Sequence, residues 1–176
     1  MFRNCHCEGL SDMPNIRLAK LSDLDAITAI YNEAIRTTTA TFDVEPKSEA
    51  EQLRWFESHC SKYPILVVEL TGTVVGWASL SPWSSRAAYS ETAETSFYVK
   101  EEQRGKGIGR KLKQAIIDEA CRQDFHSLVV RIAQGSDESI HLNEEFGFQL
   151  TGTLKEVGHK FGQRLDVYFM QKMLKQ

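Results

Sequence analysis

The chain has 176 residues, 41% of them hydrophobic and 26% charged, with a formal net charge of −3. That length suits one soluble globular domain, and the acidic balance argues against a nucleic-acid partner. No apolar run approaches the ~18 residues of a membrane span and no secretory leader is recognisable, so a cytoplasmic protein that engages no membrane is expected.

Residues 1–14 carry no hydrophobic period and are expected to be a flexible extension or a misassigned start, with Met13 as the alternative first residue. Residues 15–176 are then a single domain. Cys5 and Cys7 flank His6, but no second ligand cluster follows at zinc-site spacing, so free thiols and no metal are expected. "IRLAK" reads as a short strand. Ser22 and Asp25 form a capping-box pattern ahead of a helix whose apolar stripe is Leu24, Ile27, Ile30, Tyr31, Ala34 and Ile35. Ser48 and Glu51 open a second helix, with Leu53, Trp55 or Phe56, and Cys60 as its inner face. Cys60 and Cys121 read as reduced, small apolar residues.

"ILVVEL", a "TG" turn and "VVGWASL" predict a strand hairpin. "SPWSSRAAYSET" connects it to the strand "AETSFYV". A glycine-rich turn leads into a helix with Ile108, Leu112, Ala115, Ile116 and Ala120 on one face. "SLVVRIA", almost continuously apolar, predicts a central strand. "DESIHLNEEF" is a short helix stopped by Gly147, and "FQLTGTL" and "LDVYFMQKML" close the chain as strands. The order β-α-α-β-β-β-α-β-α-β-β implies an α/β domain with a mixed sheet.

The chemistry concentrates in "QRGKGIGRKL", residues 103–112. A glycine turn entering a helix is an anion site, because the first N–H groups of the helix lack partners and the helix dipole favours negative charge. A phosphate-binding G-x-x-x-x-G-K-[ST] loop is excluded, since Arg110 stands five residues after Gly105. The dinucleotide fingerprint G-x-G-x-x-G fails as well, its third glycine falling at Arg110 or Leu112. What remains is Arg-x-x-Gly-x-Gly, carried by Arg104, Gly107 and Gly109.

On this signature, and on the strand before it, the helix after it and the later "EEFGF", the sequence resembles the GCN5-related N-acetyltransferases (GNAT) over residues 15–174. The resemblance implies their fold, a mixed central sheet with flanking helices in which the fourth and fifth strands splay apart. It implies acetyl-CoA as co-substrate, its pyrophosphate wrapped by Arg104, Gly105, Lys106, Gly107, Ile108 and Gly109. Backbone groups of Phe97, Tyr98 and Val99 would meet the pantetheine arm. Ser136 stands where relatives usually place an asparagine in the same region.

"IYNEAI", "TATFDVEP", "WFESH", "SRAAYSETAETSFYV" and "GHKFGQRLDVYFMQ" are similar to the phosphinothricin and methionine sulfoximine acetyltransferase branch. This implies N-acetylation of the α-amine of small glutamate-like amino acid analogues by direct transfer in a ternary complex, in a homodimer. Glu94 matches the acidic residue to which the family assigns removal of the amine proton; otherwise it is a solvated carboxylate at a strand start. Arg86 and Tyr89 match the substrate-recognising stretch, with Arg86 either gripping the substrate carboxylate or standing as an ordinary loop arginine. Phe42 is either an apolar wall of the substrate site or a core aromatic, and Trp83 is similarly ambiguous. Asn143 replaces a tyrosine that in many relatives protonates the departing thiolate, which leaves His141, Tyr98 or no protein acid for that step. Two alternatives stay open: a GNAT acting on another amine (a peptide N-terminus, a polyamine, an aminoglycoside), or a non-catalytic CoA-binding sensor.

Overall fold

The structure is a computed structural model describing residues 13–175; the Cys5–His6–Cys7 run and all of the expected extension but Met13 and Pro14 lie outside the described residues. The elements are β1 (Asn15–Leu18), α1 (Leu24–Thr37), α2 (Glu49–Glu57), β2 (Ile65–Leu70), β3 (Thr73–Pro82), β4 (Thr92–Val99), α3 (Ile108–Arg122), β5 (Ser127–Ala133), α4 (Asp137–Glu145), β6 (Gln149–Lys160) and β7 (Gln163–Met173). Their order is the one read from the sequence. They form one seven-stranded sheet, β1-β2-β3-β4-β5-β7-β6.

Every neighbouring pair is antiparallel except β4–β5, which is parallel. That parallel ladder holds only three residue pairs, Thr92–Glu94 against Ser127–Val129. Beyond Glu94 and Val129 the two strands diverge, and the gap between them organises the rest of the molecule.

Alternation along the strands sends side chains to two cores. On one face α3 packs Ile108, Leu112, Ile116 and Ala120 against Val68, Ala78, Leu80, Ala93, Leu128, Val130 and Met170. On the other, Ile27 and Ile30 of α1 meet Ile65, Val67, Val74 and Trp77. β2 feeds both clusters, which is why it reads as a continuous apolar run.

The local starts are informative. α2 opens as expected, Ser48 N donating to Glu51 Oε2 at 2.9 Å and Glu51 N to Ser48 Oγ at 3.4 Å. α1 does not use Ser22. Residues Leu21–Asp23 form a 3-10 turn, and the buried Asp23 carboxylate accepts from Lys20 N at 2.7 Å and from both Arg17 terminal nitrogens at 2.7 and 3.0 Å. A cap reinforced by an ion pair to β1 outcompetes a lone hydroxyl. The Arg17 guanidinium holds the Asp23 carboxyl below its usual value.

β6 also differs from expectation, running to Lys160 rather than ending at Leu154. Phe161 and Gly162 both adopt left-handed backbone (φ 53° and 74°), which makes the two-residue turn that joins β6 to β7. Cys60 and Cys121 are exposed, not packed as small apolar residues: Cys60 lies beyond the end of α2, bridged to Tyr63, and Cys121 is on the solvent side of the last turn of α3. Among the described residues no helix is long and apolar enough to cross a membrane.

Candidate active site

Two cavities lie at the β4–β5 gap. The first, about 600 Å³, is a groove running through the gap, lined by Thr95–Val99 of β4, Val130–Ala133 of β5, the glycine turn and α4, with Ala34, residues 37–40 and Phe161 on the α1 side. The second, about 370 Å³, lies under α1 and α2 and is lined by Tyr31, Trp55, Trp77, Ser79, Ser81, Ser96 and Tyr98 with Asp43, Lys47, Glu51 and Gln52.

The glycine turn forms the mouth of the groove. Gly107 caps α3 with φ 78°, in the left-handed region, and offers no side-chain cap. The first N–H groups of α3 therefore keep their donors free, and the backbone path needs a glycine. At Gly109 a Cβ would stand 3.4 Å from the Phe97 ring, so the turn and β4 approach closely there. Arg104 reaches back to donate from Nε to the Val99 carbonyl at 3.2 Å, tying the turn to the end of β4. Arg110 is committed elsewhere, paired with Glu145 of α4.

Of the residues named from the sequence, Phe97, Tyr98, Val99, Arg104, Gly105, Gly109 and Ser136 come together in the groove lining. Lys106 stands exposed beside Gln103, to which it donates at 3.1 Å, and the Ile108 side chain turns inward to the core. A row of free N–H groups, exposed cations and a close-packed glycine fits the phosphate end of acetyl-CoA, and an open strand edge on β4 fits an amide-bearing arm.

Glu94 lies at the parting point of the strands, on the α1/α2 face in line with Ser96 and Tyr98. Both of its oxygens are held by one guanidinium: Arg131 Nε donates to Oε1 at 2.6 Å and Arg131 NH2 to Oε2 at 2.7 Å. This bidentate fork fixes the carboxylate plane. The Glu94 side chain is 15% exposed and Arg131 55%, so the pair is reachable from solvent.

Tyr98 faces the second cavity, packed against Tyr31 and Trp77, and burial pushes its phenol up to about 12. Tyr31 donates to Asp43 Oδ2 at 2.7 Å, and burial also raises its phenol. Phe42 packs its ring over Gly158 of β6, where any Cβ would collide with it. Beside it, the buried Lys160 donates to the Thr41 carbonyl at 2.7 Å. Together these contacts fasten the α1–α2 connection to the β6–β7 hairpin. Arg86 and Tyr89 stand exposed on the β3–β4 connection, outside the lining of both cavities, and Trp83 packs edge-on against Phe169. His141 is exposed on α4 near Glu145. Among the described residues no group of three or more His, Cys, Asp or Glu could hold a metal ion.

Residues 16–169 match the acetyltransferase (GNAT) domain family. The chain belongs to the GNAT acetyltransferases. It is 42% identical over 159 residues to a Pseudomonas aeruginosa L-methionine sulfoximine/L-methionine sulfone acetyltransferase, covering 89% of this chain and 92% of that one. It is 35% identical to a Streptomyces coelicolor phosphinothricin N-acetyltransferase, covering 86% and 91%. Among solved structures it is similar to a GNAT phosphinothricin acetyltransferase from Sinorhizobium meliloti in complex with acetyl-CoA, with a TM-score of 0.88, 36% identity and coverage of 92% and 88%.

Within this GNAT fold the sequence reading passed over two groups. Arg131 was absorbed into an apolar strand, although a single charge inside "SLVVRIA" was the visible signal. The serines at 79, 81 and 96 meet only through the β3–β4 register, Ser79 opposite Ser96 and Ser81 opposite Glu94. No local pattern announces such a cross-strand patch.

Proposed function

We propose that residues 15–176 act as one catalytic domain that acetylates the α-amino group of small glutamate-like amino acid analogues. Methionine sulfoximine and phosphinothricin are the first candidates, with acetyl-CoA as donor and direct transfer in a ternary complex. The observation that carries this reading is the Glu94–Arg131 pair at the point where β4 and β5 part, with Arg131 on the groove lining and Ser81, the β3 partner of Glu94, on that of the polar cavity. The printed names of the relatives support the acceptor class, and the neighbour solved with acetyl-CoA supports the donor.

When bound, acetyl-CoA supplies an activated thioester. Its phosphates would rest on Gly105, Gly107 and Gly109 with Arg104 and Lys106 nearby, and its arm along Phe97–Val99 and Ser136. An amine attacks only when unprotonated, and Glu94 is the base that takes its proton, directly or through one water. Arg131 is a positioning residue that keeps the carboxylate aimed. On the acceptor side, the hydroxyls of Ser79, Ser81 and Ser96 and the buried Trp77 Nε1–H, which has no partner among the described residues, would bind the oxygens of a sulfoximine or phosphinate. Arg86 and Tyr89 would reach the acceptor only after loop movement or across a subunit boundary.

Leu150, Leu154 and Val157 are exposed on the edge strand β6, and this apolar row supports a homodimer. A thiol-release assay with acetyl-CoA and a panel of amines tests the function. Turnover on methionine sulfoximine above that on polyamines and peptide N-termini is expected, and the reverse order would reject the acceptor class. A native mass equal to one chain would reject the dimer.

A further inference from the structure

The closed end of the groove holds polar groups to which the reading above gives no work. Lys113 lies four residues beyond Gly109, one turn deeper along the same stripe of α3, and lines the groove at 1% exposure. Its Nζ stands 4.0 Å from the centre of the Phe148 ring. No carboxylate and no hydrogen bond balances it among the described residues; the charged group that faces it is another cation, Lys172 of β7.

Two more polar atoms on residues of the groove lining have no partner among the described residues, Thr95 Oγ1 and Asn143 Oδ1, on residues 5% and 1% exposed. Thr95 is the first β4 residue past the last β4–β5 pair and follows Glu94 in the strand, so its side chain meets the groove from the opposite face of the sheet to Glu94. A buried ammonium that meets a ring face but no anion and no hydrogen-bond acceptor is only partly compensated, and an apolar side chain would fill this position at lower cost. A group that enters the groove and carries or develops negative charge would complete its compensation. In a GNAT groove whose phosphate end is the glycine turn, the closed end receives the thioester.

We propose that Lys113 is the general acid of the transfer, donating its Nζ proton to the thiolate as it leaves. This rests on the acetyl-CoA reading of the groove. As the amine nitrogen bonds to the acetyl carbon, the C–S bond breaks with its electron pair on sulfur. The amine proton passes to Glu94, and the Lys113 proton passes to sulfur. Solvent then removes the proton from Glu94 and restores the one on Lys113, so free CoA leaves as a thiol. Thr95 offers a hydroxyl to that end of the substrate, and Asn143 Oδ1 can accept from an N–H or S–H donor there while its Nδ2 is held by the Ser139 carbonyl. Burial, with Lys172 adding to it, lowers the Lys113 ammonium to about 7, where it gives up a proton readily.

The test is Lys113→Met, which keeps the length of the side chain and removes the charge. Deleting an unpaired buried cation should leave a folded protein that melts no lower than the parent. Calorimetric binding of acetyl-CoA should stay within about threefold of wild type, while kcat falls ~100-fold and loses its decline at alkaline pH. A readout independent of turnover is the ultraviolet absorbance of the CoA thiolate in the binary complex. In wild type the bound thiol should ionise at lower pH than free CoA, and in the variant it should not. Wild-type kcat with an unchanged thiol titration would overturn the proposal. So would equal losses of binding and turnover, which would mark Lys113 as a binding cation only. Wild-type protein that binds no acetyl-CoA would overturn the reading of the groove itself, and this proposal with it.

Discussion

The two faces of the sheet at the β4–β5 gap are built in different ways. The groove, open to the α3 face, draws mostly on contiguous chain: residues 37–40 at the end of α1, residues 95–99 of β4, the glycine turn, and residues 130–133 of β5. On the α1/α2 face the cavity takes every second residue of β3 and β4 and adds side chains from two helices and a loop. A contiguous site is shaped by backbone geometry, so glycine positions reveal it. An alternating site is shaped by register, which only the folded sheet supplies. The contrast matches the roles proposed for them: a generic donor held by backbone on one side, a particular acceptor recognised by side chains on the other.

The strongest way to break this contrast is to remove the group at the junction. Glu94→Gln should lower turnover ~100-fold or more and flatten the acid limb of the rate profile, with acetyl-CoA binding retained. Steady-state kinetics across pH checks this, and an unchanged profile would reject the base assignment. Arg131→Met should cost roughly tenfold in kcat through misplacement of Glu94, with little change in KM for acetyl-CoA.

The donor face responds differently. Gly109→Val crowds the Phe97 ring across the turn and should raise the KM for acetyl-CoA about tenfold while changing kcat little. Equal effects on kcat would mean the turn does more than bind. Gly158→Ala forces the Phe42 ring off β6 and should destabilise the protein by ~1–3 kcal/mol, read as a lower melting temperature.

The smallest effect lies farthest from the gap, at the start of α1. Arg17 holds the Asp23 carboxyl below its unfolded value, so the pair contributes stability above ~pH 3.9 that is lost as the pH falls through the folded value. Arg17→Met should therefore flatten the acid end of the stability curve and leave acetyl transfer at neutral pH unchanged. Acid titration followed by circular dichroism would register it.

How much of this was legible beforehand follows the same division. Element order, the Ser48–Glu51 cap, the Gly147 stop and the glycine turn were all visible, because each depends on residues within four or five positions of one another. The Asp23 cap was missed because its decisive partner, Arg17, sits on β1. The extension of β6 to Lys160 was missed because the strand is largely exposed and bulged between Leu154 and Gly158, which erases a period of two. Glu94 was legible from the family resemblance, but Arg131 was not, since 37 residues separate them and only the parallel pairing of β4 with β5 brings them together. Lys113 falls outside the apolar face that the period assigns to α3, and its burial against Phe148 is set by tertiary packing that no local pattern shows.

The most direct test of the account is CoA thiol release by the purified chain with acetyl-CoA and methionine sulfoximine, run beside Glu94→Gln. The account predicts saturable release with wild type and a loss of ~100-fold in the variant. Release that ignores methionine sulfoximine, or a Glu94→Gln protein as fast as its parent, would contradict it.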